Sequence, residues 1–252
     1  MKPLPAEHEH HVAVHQDCPA KLNGVIYNHI SKTGGTAMSH MVARVMTAAG
    51  SERVHDDSTP FHNGSYIIQD DLAGVPGFQE YAPWAGHGKL TVLLTNNFFV
   101  IGLVRRPCDW LLSSYYEGHK SNPDNSTEFK SWLEEKMNTP ADKFGIPATA
   151  VWRYGQQHVH CMAYTHTLKE DFQRCMNQYK SCGGTVDDTL LEDEFIDKLL
   201  DEATEIAHKQ QSSVGDHASC DSVFDAELAN EVMQHAKIAA YRGDYGLDDQ
   251  CC

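Results

Sequence analysis

The sequence predicts an α/β protein built on a parallel sheet, and two observations carry that prediction. Twice, a short apolar run passes directly into a helical repeat, at residues 25 to 50 and again at 98 to 118. The second run, Phe98 to Val104, is apolar throughout with its glycine counted as neutral, the pattern of a strand covered on both faces. Repeated strand–loop–helix units build βαβ folds, whose ligands sit beyond the carboxyl ends of the strands.

Residues 1 to 23 read as a flexible leader in which His8, His10, His11 and His15 stand among proline and glutamate, with no apolar pattern to hold a metal there. They also lack the apolar core of a secretory signal. Residues 24 to 250 are expected to form one domain. Val25 to Ile30 reads as the first strand. After Thr36 the period changes: Ala37, Met38, Met41, Val42, Val45, Met46 and Ala49 recur at helical spacing, and Gly50 supplies a stop. Tyr66 to Gln69 is a candidate second strand, and Gly74 to Gly88 is a glycine- and proline-rich loop carrying His87. Past Val104, Pro107 suits the first turn of a helix running to Gly118 and burying Leu111, Leu112 and Tyr115. Further helices are expected near 127–137, 149–164 and 190–209. A last one is expected from Asp225 to Tyr241, with Leu228, Val232, His235, Ala236 and Ala239 on one face. Residues 122–127 and 181–188 read as connectors.

The 252 residues are 41% hydrophobic and 22% charged, enough for one substantial core. Lysine and arginine total 20 against 35 acidic residues, a formal charge of −15. Such a surface repels nucleic acid and polyanionic glycans, so any anion site must be local. No apolar run is long enough to span a bilayer. The eight cysteines form no CxxC pair, which leaves a zinc or thioredoxin-like reading without its spacing. Cys161, Cys175, Cys182 and Cys220 are either paired in an oxidising compartment or small buried hydrophobes. A chain of this size does not need disulfides, which favours the second state. Cys251-Cys252 resembles a prenylation tail with nothing else to support it, and a frayed, unmodified end is expected.

Both strand-to-helix junctions carry anion-binding chemistry. At the first, "SKTGGT", Gly34 and Gly35 let the backbone approach a ligand, and the helix that follows adds its positive end. Thr33 and Thr36 add hydroxyls and Lys32 a charge. A nucleotide P-loop places its lysine after the glycines, whereas Lys32 precedes them and the required upstream glycine is absent. The order in "HISKTGGTAM" instead resembles the 5'-phosphosulfate loop of sulfotransferases that use 3'-phosphoadenosine 5'-phosphosulfate (PAPS). It is closest to the carbohydrate, Golgi-type glycan branch, whose loops read similarly to His-x-Pro-Lys-Thr-Gly-Gly-Thr, with Ser31 here in place of the proline. At the second junction, "LVRRPCDWLLSSYY" resembles that family's 3'-phosphate motif, Leu-Arg-Asp-Pro-x-x-Arg-x-x-Ser-x-Tyr-Tyr. Arg105 falls on its phosphate-binding arginine and Ser113 on its phosphate-binding serine. Arg106 replaces the aspartate, adding charge near the anion, and Trp110 replaces a second arginine, removing a guanidinium. Between them "AGHGKL" places His87 where many members carry a Gly-His whose histidine is the base.

The resemblance covers residues 24 to 116 with motif support and implies a P-loop-like three-layer fold, a central parallel β-sheet flanked by helices. It implies an enzyme that moves the sulfuryl group of PAPS to an acceptor hydroxyl by in-line transfer. Lys32 would stabilise the departing adenosine 3',5'-bisphosphate, and His87 would take the acceptor's proton. Lys32, Thr33, Gly34, Gly35, Thr36, Arg105 and Ser113 would hold the donor, with no metal required. His29, Glu117 and His119 are weaker candidates for the base. "VWRYGQQHVHCMAY" looks like a mid-domain helix of the family, and "HKQQSSVGDHASC" stands where members close a loop over the cofactor, within reach of Ser212 or Ser213. The expected partner is a glycan or small-molecule acceptor, with no nucleic acid and no transmembrane segment; nothing fixes the oligomeric state. The expected location is cytoplasmic or otherwise soluble, or the Golgi lumen if an anchor lies outside this sequence. The alternatives are a catalytically silent nucleotide- or sulfate-binding module and a small-molecule kinase with an atypical phosphate loop.

Overall fold

The computed structural model describes residues 18–20, 22–28, 35–52, 65–68, 98–118, 127–138, 159–211 and 218–252. Four parallel strands form the sheet: β1 (Gly24–Asn28), β2 (Ser65–Ile68), β3 (Phe99–Val104) and β4 (Cys161–Tyr164), in the spatial order β2-β1-β3-β4. The helices are α1 (Gly35–Ala48), α2 (Pro107–Gly118), α3 (Thr127–Asn138), α4 (Leu168–Ser181), α5 (Asp193–Gln211), α6 (Cys220–Val223), α7 (Ala226–Gln234) and α8 (Ala236–Tyr245). Short 3-10 turns precede α4 (Thr165–Thr167) and α5 (Asp188–Leu191).

The alternation of strand side chains sorts the core onto two faces. Phe99, Ile101 and Leu103 point to the face covered by α1, α4 and α5, where they meet Met41, Val45, Phe172, Met176, Ile196 and Leu199. Val100 and Val104 point to the other face, against Leu111, Tyr115, Phe129, Leu133, Val232 and Tyr241 from α2, α3, α7 and α8. Helices on both faces explain why β3 is buried at all six positions. The unit β1-α1-β2 runs to one side of β1 with its helix on the first face. The unit from β3 through α2 to β4 runs to the opposite side with its helix on the second. Reversing both direction and face keeps one crossover hand, as parallel sheets require.

Sequence punctuation ends the helices. Gly50 has φ +78° and the Ser51 N–H donates to the Met46 carbonyl at 2.8 Å, a Schellman end to α1. Gly183, with φ +95°, does the same for α4, where the Gly184 N–H reaches the Tyr179 carbonyl at 3.1 Å.

Several expectations need correction. Residues 161–164, expected as the end of a helix, are strand β4, with Cys161 paired to Ile101 and Tyr164 to Val104. The single last helix is two, α7 and α8, broken at His235 by an extended backbone (φ −62°, ψ 130°), and the buried positions of α8 are Ile238, Tyr241 and Tyr245 instead of Ala236 and Ala239. Helix α4 was missing from the expectations, although Leu168, Phe172, Cys175, Met176 and Tyr179 recur at helical spacing.

All eight cysteines are paired: Cys18–Cys182, Cys108–Cys251, Cys161–Cys175 and Cys220–Cys252. This overturns the expectation of reduced hydrophobes. It equally overturns the frayed end, since Cys251 and Cys252 tie residues 246–252 to α2 and α6. No described helix is long and apolar enough to cross a membrane.

Candidate functional site

In the order β2-β1-β3-β4 the chain leaves β1 toward β2, then returns past β1 to place β3 on its other side. That reversal makes the carboxyl ends of β1 and β3 the topological switch point, the place where open α/β sheets bind their ligands. Asn28 pairs with Gly102, so the chain leaves both strands at one edge of the sheet, six residues before α1 on one side and at Arg105 on the other.

At the α1 side the described residues begin with Gly35 and Thr36, the first two of the helix, and Thr36 is exposed. The first turn contains no acidic residue, so no carboxylate of its own offsets the positive end of the helix. Lys32, Thr33, Gly34 and the alternative base His29 lie outside the described residues, as do His87, His119, Ser212 and Ser213.

At the β3 side the geometry is explicit. Arg105 follows the last strand residue, and its guanidinium lies 3.6 Å from the Asp109 carboxylate, each side chain about a quarter exposed (26% and 27%). Burial pulls the Arg105 pKa below its ordinary value while Asp109 pushes it back up; a guanidinium remains charged through either effect. Ser113, half-buried, sits one turn past Asp109 on the same face of α2. At a rise of about 1.5 Å per residue, Ser113 lies about 9 Å along α2 from its first residue, Pro107, and Arg105 stands two residues before that. Only a long side chain lying forward over the first turn brings a charge toward the serine, and the Arg105–Asp109 contact shows the guanidinium lying that way. The structure thus brings Arg105 and Ser113 onto one surface.

The turn that presents Arg105 is held by distant residues. The Tyr241 hydroxyl donates to the Arg105 carbonyl at 2.8 Å and accepts from the Arg105 N–H at 3.3 Å. The Thr165 hydroxyl donates to the preceding carbonyl, that of Val104, at 3.0 Å. Arg106 donates to both Asp248 carboxylate oxygens, at 3.2 and 2.6 Å, and to the Cys252 carbonyl at 2.6 Å. The expectation that Arg106 adds charge for an anion is therefore corrected: Asp248 neutralises it and its donors are committed to residues 248 and 252. Trp110 is 4% exposed and packs against Tyr241 at 5.7 Å, so the position where the resembled motif carries an arginine belongs here to the core. From the sequence Asp248 has no role, Tyr241 reads only as the end of the last helix and Cys252 as part of a frayed end; the cysteine pair at 251–252 is the one local sign that this segment is used.

Comparison with known proteins adds no assignment: no family model matches the chain, and no curated protein matches it. Among the described residues there is no cluster of ligating side chains that would hold a metal ion.

Proposed function

We propose that the chain is a PAPS-dependent sulfotransferase with a P-loop-like fold, transferring a sulfuryl group to the hydroxyl of a glycan or small metabolite. The observation that carries the proposal is the switch point between β1 and β3. Two sequences that resemble the two ends of one bisphosphorylated-donor site leave neighbouring strands at the same edge of the sheet. Neither resemblance alone is as specific as their adjacency. The residues present fit such a donor: a helix N-terminus at Gly35 and Thr36 with no acidic residue in its first turn, and a partly exposed, charged Arg105 with Ser113 on the same helix face.

In this reading Arg105 and Ser113 hold the 3'-phosphate, and Thr33, Gly34, Gly35 and Thr36 cradle the 5' end. Lys32 stabilises the charge that builds on the departing bisphosphate, and His87 takes the acceptor's proton during in-line attack. Such transfer is mostly alignment and electrostatics, and it has no need of a metal. Four disulfides support a lumenal or extracellular compartment over the cytoplasm. The charge of −15 favours neutral or cationic acceptors over heavily sulfated glycans.

Ligand-dependent melting tests the proposal. At a hundredfold excess over its Kd, adenosine 3',5'-bisphosphate should stabilise the protein by about 2.7 kcal/mol. Arg105→Ala should remove that stabilisation, and ATP with magnesium should not reproduce it. A protein that melts identically with and without saturating bisphosphate is not a sulfotransferase of this kind. One that binds it but releases none from PAPS with any acceptor is a silent binder.

A further inference from the structure

We infer that Tyr241 is a positioning residue that makes the Arg105 turn selective for a 3'-phosphate, an inference that rests on the reading of Arg105 as the phosphate-binding arginine. Arg105 and Arg106 are the two residues between the last residue of β3 and the first of α2, outside both regular elements. Pro107 has no N–H to help fix the turn. The direction of the Arg105 side chain is set by the peptide planes on either side of it. Tyr241 holds both, because its hydroxyl accepts from the Arg105 N–H and donates to the Arg105 carbonyl at the same time.

The hydroxyl itself is well fixed. Tyr241 is fully buried, and its ring sits 5.7 Å from Trp110 and 5.2 Å from Tyr245. The neighbouring backbone is held from the same side: the Cys108 N–H donates to the Cys251 carbonyl at 3.0 Å, and Arg106 forks onto Asp248. The segment that follows β4 by some eighty residues in the chain thus sets the aim of a side chain at the end of β3. Arginine recognises phosphate through directed, paired N–H donors, so affinity depends on aim as well as on charge. A misplacement of about 1 Å at such a contact can cost about a hundredfold.

The experiment compares two probes by calorimetry, adenosine 3',5'-bisphosphate and adenosine 5'-monophosphate, which differ only by the 3'-phosphate. Wild type should prefer the bisphosphate. Tyr241→Phe keeps the ring and removes the hydroxyl, and it should weaken bisphosphate binding about tenfold or more while leaving monophosphate binding unchanged. Trp110→Phe, which loosens the ring and keeps the hydroxyl, should give a smaller loss of the same preference. Ile238→Val shaves the buried face of α8 without touching Arg105; it should lower the melting temperature and leave the preference intact. If wild type discriminates and both Tyr241→Phe and Trp110→Phe retain its full preference, Tyr241 has no positioning role. If wild type itself does not discriminate, the reading of Arg105 fails and takes this inference with it.

Discussion

Arg106 and Asp248 meet through two hydrogen bonds, and that contact has a defined pH dependence. The hydrogen bond from Arg106 is the main reason the Asp248 carboxyl lies below its ordinary range; desolvation is the next largest influence and opposes it, and the Gln250 N–H and the charges of Arg106 and His166 add to it. A carboxyl depressed in the folded state contributes stability that is fully present above its unfolded pKa of about 3.9 and is lost as the pH falls through the folded value. Asp248 is 42% exposed, so solvent and salt screen the pair and its worth is modest. The difference in melting temperature between wild type and Asp248→Asn should stay constant from about pH 7 to pH 5 and shrink toward zero below about pH 4. A difference that grows in acid would mean that Asp248 is held for some other reason.

At the scale of elements, β4 shows most clearly what the sequence conceals. It has four residues, and its identity comes from β3: Cys161 to Tyr164 pair with Ile101 to Val104. Nothing local separates so short an apolar segment from the end of a helix, because period alone needs more residues to declare itself. By contrast β1, β3, α1 and α2 are legible, since each is a long enough run or repeat with a glycine or proline at its boundary. The break between α7 and α8 carries neither residue, which explains its absence from the reading. The half of the site around Lys32 and His87 rests on sequence alone, while the Arg105 half acquires Tyr241 and Asp248, partners more than a hundred positions away that no local pattern encodes.

One side chain extends the β3–β4 edge beyond the ladder. His160 is 4% exposed; its Nδ1 accepts the Val100 N–H at 2.9 Å, its backbone N–H donates to the Val100 carbonyl at 2.9 Å, and its ring stacks on Phe99 at 5.3 Å. This buried histidine supplies the acceptor for the Val100 N–H, a structural role at the start of the β3–β4 pairing. His160→Leu keeps bulk but takes the acceptor from a buried N–H, a loss of about 1–3 kcal/mol. Urea denaturation should find that loss, with Val100 among the amides whose exchange accelerates most. A variant as stable as wild type would show that the bond is dispensable.

For the whole molecule, the cross-links join parts that the sheet alone leaves separate. Helices α6 to α8 and residues 246–252 close the face of β3 that carries Val100 and Val104, and Cys108–Cys251 and Cys220–Cys252 fasten that cover to α2 and to itself. On the opposite face Cys161–Cys175 only joins β4 to the helix that follows it, 14 residues on. Where a disulfide acts by restricting the unfolded chain, its worth grows with the loop it closes. Cys108 and Cys251 are 143 residues apart; even with Cys252 still tied to Cys220, the loop closed by this bond spans residues 108 to 220. Removing it as Cys108→Ala/Cys251→Ala should therefore cost about 5 kcal/mol, against about 3 kcal/mol for Cys161→Ala/Cys175→Ala. Both are measurable by denaturation of otherwise oxidised protein. The order matters more than the values, because the two pairs also differ in packing: Cys161 accepts from Arg174 at 3.0 Å, while Cys251 lies against Ala229. If the short-loop pair proves the costlier loss, local packing on β4 outweighs the chain entropy. The segment that carries Tyr241 and Asp248 would then be held to the Arg105 turn by its hydrogen bonds and buried rings more than by its cysteines.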